Sequence, residues 1–70
     1  MMMYEYFSVA ATIYHLGGVN TEQLVTKAKS PKEAEKNARW RLVNKENPNR
    51  KYKDGILHIN KIGIFNPCQH

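Results

Sequence analysis

The sequence predicts an α+β domain of order β-β-α-β, a three-stranded, mainly antiparallel sheet with one helix packed on one face. Three observations carry this expectation. Residues 4–16 alternate with the period of a strand, Gly17-Gly18 follows as a break, and Ser30-Pro31-Lys32-Glu33 opens a segment with helical spacing.

In YEYFSVAATIYHL the odd positions Phe7, Val9, Ala11 and Ile13 are apolar and should face the core. The even positions, from Tyr4 and Tyr6 to Thr12 and Tyr14, make an amphipathic face rich in tyrosine. Glycine tolerates positive φ, so Gly17-Gly18 suits a hairpin turn. The second strand is expected over residues 21–29, with Leu24, Thr26 and Ala28 toward the core and Val25, Lys27 and Lys29 outward.

Ser30 is placed to cap a helix, Pro31 fits the first helical position, and Glu33 stands at the third. The helix should run from Pro31 to about Asn44 and stop before Asn47-Pro48. Ala34, Ala38 and Leu42 then share one face, and the small alanines allow close approach to a sheet. Lys32, Lys36 and Arg39 fall opposite, with Val43 among them and Trp40 at their edge. A polar connector, KENPNRKYKD, ends in a turn at Asp54-Gly55. The third strand is expected over 55–65, with a bulge near Asn60-Lys61 where the apolar parity changes. It can pair beside the first strand in either direction. Residues 3–65 form the expected folded core and 66–70 a loose tail.

A chain of 70 residues allows one domain and leaves no room for a cofactor cleft between lobes. The single cysteine, Cys68, excludes an internal disulfide and a four-cysteine zinc site. No His-x₃-His or Cys-x₂-Cys spacing joins Cys68 to His15, His58 or His70, no glycine-rich loop leads into a helix, and no nucleophile stands on a rigid elbow. The expectation is therefore no enzyme, no metal and no cofactor. No apolar run reaches the roughly 18 residues of a membrane helix. The N-terminus lacks the features of a secretory signal, so a cytoplasmic location is expected.

One helix covers only one face of such a sheet. The other face carries Tyr6, Thr12 and Tyr14, either as a half-wet surface or as a contact with a second copy or another protein. The net charge of +5 is unevenly spread: residues 27–53 hold ten basic against three acidic side chains, a local +7. Lys32, Lys36, Arg39, Trp40, Arg50, Lys51, Tyr52 and Lys53 make up the expected basic surface, with aromatics interleaved. Such a surface suits nucleic acid or a nucleotide through charge and stacking, an acidic protein patch through charge, or simply solvent.

Two resemblances extend these readings. The element order, with Ala28-x-Ser30-Pro31-Lys32-Glu33-Ala34-Glu35 opening the helix, resembles the archaeal ribosomal LX family over residues 6–65, which implies ribosome binding. The short length, lack of a catalytic motif and open binding face resemble bacteriophage accessory proteins, including inhibitors of host defence such as anti-CRISPR proteins. That resemblance implies a non-enzymatic protein that inhibits or modulates a host protein or nucleoprotein complex in the host cytoplasm.

Overall fold

The computed structural model describes residues 3–66 and contains four elements: β1 (Glu5–His15), β2 (Gly18–Ala28), α1 (Pro31–Leu42) and β3 (Ile56–Ile64). The three strands form one open antiparallel sheet of order β2-β1-β3. The direction of β3, open from the sequence, is thus antiparallel to β1. It follows that β2 and β3 run the same way with β1 between them, joined by the helical crossover.

The hairpin turns one residue earlier than the glycine pair suggested. His15 pairs with Gly18, so Leu16 and Gly17 form the two-residue loop and β2 begins at Gly18 rather than at Thr21. Gly18 has φ of 122°, a conformation that side chains disfavour.

The odd residues of β1 point inward as their alternation requires: Phe7, Val9, Ala11 and Ile13 are all buried. On β2, Thr26 and Ala28 are buried and Leu24 half-buried, while Val25 and Lys27 are exposed. On β3, Leu57, Ile59 and Ile62 face the core across a bulge: Ala10 pairs with Lys61 and Ala11 with Ile59, which leaves Asn60 as the extra residue. The parity change in the sequence is that bulge.

Ser30 caps α1 from an extended conformation, its Oγ accepting from the Glu33 N–H at 3.2 Å. Ala34, Ala38 and Leu42 are the buried stripe. The helix ends at Leu42, two residues short of the expected Asn44, and Val43 caps it in a non-helical conformation. Leaving the helical path turns Val43 into the core instead of toward the lysines.

Side chains of α1 also close part of an edge strand. Asn37 Nδ2 donates to Lys27 O and Thr26 Oγ1, both at 3.3 Å, and Arg41 donates to Val25 O at 3.4 Å. This satisfies backbone acceptors that an edge otherwise leaves bare.

The connector is ordered by its own polar groups. Asn47 is buried, donates to Trp40 O at 3.0 Å and accepts from the Asn49 N–H at 2.9 Å. The Tyr52 N–H donates to Leu42 O at 2.7 Å, satisfying a second carbonyl of the last helical turn. The Asp54-Gly55 turn divides its roles unexpectedly. Asp54 carries the positive φ of 58°, whereas a Cβ on Gly55 would lie 2.7 Å from Ile13 Cγ2. Gly55 is small because the core leaves no space there.

Candidate binding surfaces

The helix leaves one face of the sheet uncovered, and pleating places alternate residues there. Tyr6 and Tyr14 are exposed on it, and half-buried Thr12 accepts from Asn60 Nδ2 at 2.7 Å. Lys27 lies across from Tyr6, Lys61 across from Ala10, and His58 across from Thr12. Among the described residues, no outward strand position is acidic. Tyr4 extends the face, with the ammonium groups of Lys27 and Lys29 5.7 and 5.2 Å from its ring centroid.

Small side chains form a hollow in this face of about 280 Å³, lined by Ser8, Ala10, Gln23, Lys61, Gly63 and Ile64. Gln23 Nε2 donates to Ser8 Oγ at 2.9 Å across its floor.

An apolar corner lies at the hairpin end. Leu16, Val19, Ile56 and Tyr14 surround a shallow depression, with Leu16 98% and Ile56 72% exposed. Sequence reasoning missed this cluster. Leu16 falls at the end of the expected first strand, and Val19 and Ile56 lie far apart in the chain; only the strand order β2-β1-β3 brings them to either side of Tyr14.

The expected basic surface is divided. Lys32, Lys36 and Lys53 are exposed as anticipated, and Trp40 is 50% exposed beside a depression lined by Thr26, Lys27, Asn37 and Arg41. Arg39 is exposed but pairs with Glu35 at 3.4 Å, one helical turn away. In the second half, Arg50 and Tyr52 are corrected, while Lys51 stays exposed. Arg50 is half-buried and donates to Lys45 O at 3.1 Å and Asn47 O at 3.0 Å, so its guanidinium braces the connector. Lys51 pairs with Glu22 at 3.0 Å. Tyr52 is a core residue, not a stacking surface: it is buried among Ile13, Leu42, Val43 and Leu57. The physical reason is the connector's return over the hairpin end, where an uncovered stretch of sheet needs an aromatic.

That return creates a polar cluster at the core's rim. The Tyr52 hydroxyl donates to Glu22, whose carboxylate also meets Lys51. His15 packs on the Tyr52 ring, with centroids 4.7 Å apart. Its Nδ1 accepts from the Gly17 N–H at 3.1 Å, which leaves Nε2 to donate to Asn20 Oδ1. The Tyr52 hydrogen bond, followed by the Lys51 contact, holds the Glu22 carboxyl below its ordinary 4.5. The same hydrogen bond raises the Tyr52 phenol above its ordinary value.

A depressed carboxyl stabilises the fold above its unfolded-state pKa, and that contribution is lost as pH falls through the lower folded value. Glu22→Gln is therefore expected to lower the Tm most at neutral pH, with the gap to wild type closing as the pH drops below the ordinary glutamate range. Thermal melts of both proteins across acidic pH check this. A gap independent of pH would assign the effect to shape rather than charge.

Among the described residues, no group of three or more histidine, cysteine, aspartate or glutamate side chains is arranged to hold a metal ion. Cys68, His70 and most of the expected tail lie outside the described residues. Among the described residues, no helix is long and apolar enough to cross a membrane.

The fold and surfaces define a small α+β domain with an open antiparallel sheet. No known protein family matches the sequence, and no curated protein or solved structure shows significant similarity to it.

Proposed function

We propose that this chain is a non-enzymatic binding protein that acts by contact with a host protein or nucleoprotein complex, and that the apolar corner of the open face anchors the protein contact. The carrying observation is the exposure of Leu16, Val19 and Ile56 around Tyr14 in one depression. Exposed side chains of this kind gain more from burial against a partner than scattered surface residues do, and a tyrosine adds a polar tip for specificity. Inhibition or modulation of the machine follows from occupying a surface it needs, the mode implied by the resemblance to phage accessory proteins.

Leu16→Glu and Ile56→Thr test the contact with little risk to the fold, since both side chains are largely outside it. Retention of a stoichiometric host protein from lysate by the wild-type chain, and loss of at least about tenfold in recovery with Leu16→Glu, is the expected result, in line with a central contact. Equal recovery with both variants, or no stoichiometric partner with wild type, would refute the assignment. The reading through the connector's half of the basic surface is weaker because Arg50 braces the connector, Lys51 pairs with Glu22 and Tyr52 is buried in the core.

A further inference from the structure

We propose that the Gly63 hollow on the open face binds single-stranded nucleic acid, with one base seated in the hollow and the next stacked on Tyr6. The inference starts from a glycine that the fold does not require. Gly63 lies inside β3, where glycine costs stability, yet it has no positive φ, and a Cβ built on it would meet nothing within 4 Å. Neither backbone strain nor packing selects it. Its effect is on the surface, where with Ser8 and Ala10 it keeps the floor flat and open.

The chemistry around that floor matches an unpaired nucleotide. The Gln23–Ser8 hydrogen bond uses one Gln23 donor and leaves the Gln23 carbonyl as an acceptor and the Ser8 hydroxyl hydrogen as a donor, as a base edge needs. Lys61 lies at the rim of the hollow. Gly63 pairs with Ser8, so exposed Tyr6 is the next outward residue along β1, with Lys27 directly across from it. A cation, a hollow, an aromatic ring and a second cation thus follow one another over a face on which, among the described residues, no outward strand position is acidic. That order supplies phosphate neutralisation and stacking together. An acidic peptide would satisfy the lysines but leave the flat floor and exposed ring without a planar ligand. A duplex keeps its bases stacked and paired, out of reach of the hollow.

The test is fluorescence anisotropy with a labelled short oligothymidylate, alone and as a duplex with oligodeoxyadenylate. The single strand is expected to bind and the duplex to bind at least about tenfold more weakly. Affinity should fall roughly tenfold between about 50 and 200 mM salt, as two or three neutralised phosphates require. Gly63→Val should fold with an unchanged or higher Tm and lose at least about tenfold in affinity, because its side chain fills the hollow. Tyr6→Ala, a surface change, should lose at least about fivefold through stacking. Lys32→Ala with Lys36→Ala, on the helix back, should bind as wild type does.

No binding at low salt, full affinity in Gly63→Val, or an equal loss in the helix-back variant would overturn the inference. Competition by polyglutamate as effective as by oligothymidylate would overturn it in favour of an acidic protein ligand. Its failure is separable from that of the protein contact. A chain that captures a partner through Leu16 but ignores the oligonucleotide refutes this inference and leaves the proposed function standing.

Discussion

Ile13→Ala is expected to bring the thermal transition of this domain down by roughly 10–40 °C. Ile13 is fully buried on the central strand, among Leu42, Val43, Tyr52 and Leu57. Truncating such a residue costs about 2–5 kcal/mol, through lost burial and the cavity left behind. A core this small supplies only about 3–5 kcal/mol in total, so the substitution takes most of it. Relaxation cannot recover much, because α1, β3 and the connector meet at this point and the space between Gly55 and the Ile13 side chain is too small even for an added Cβ. Circular dichroism melts give the readout, with Leu16→Ala as the control for losing an apolar side chain in solvent. A fall of less than about 5 °C for Ile13→Ala, equivalent to about 1 kcal/mol or less, would contradict the packing argument.

The second large effect is expected at Asn47. Its side chain bonds the Trp40 carbonyl and the Asn49 N–H, and its backbone carbonyl accepts from Arg50. Asn47→Ala removes both side-chain bonds and leaves the partly buried Trp40 carbonyl and Asn49 N–H without these partners, at about 1–3 kcal/mol for such a loss. The connector also loses its side-chain tie to α1, so the last helical turn and the Tyr52 segment loosen together. The expected result is a Tm lower by roughly 5–20 °C with altered Trp40 fluorescence. Asn47→Asp should not rescue it, since a carboxylate retains the acceptor for Asn49 but sets a negative charge against the Trp40 carbonyl. A Tm for Asn47→Ala within about 2 °C of wild type would show that water replaces both bonds.

These two positions mark the limits of sequence reasoning here. Ile13 is legible because its neighbours alternate with it, and alternation is a local property of a strand with one buried face. Asn47 is not, because Asn-Pro in a polar stretch looks like any loop, and nothing local says that the chain folds back over the helix end. The candidate surfaces divide along the same line. Parity alone assigns Tyr6, Thr12 and Tyr14 to the open face, and the structure places them there. Arg50, Lys51 and Tyr52 group by charge and adjacency, but the connector's path turns Arg50 onto its own carbonyls and Tyr52 into the core, and leaves Lys51 exposed beside Glu22.

By itself the sequence determined the β-β-α-β order, the Ser30 cap, the inward stripe of Ala34, Ala38 and Leu42, and the β3 bulge. Each is written in spacings of a few residues, where backbone geometry dictates which side chains share a face. Only the tertiary structure decided the strand order, the burial of Tyr52 and Val43, the apolar corner around Tyr14 and the hollow at Gly63. Those depend on segments distant in the chain, whose meeting is settled by which apolar area remains to be covered once the local elements have formed.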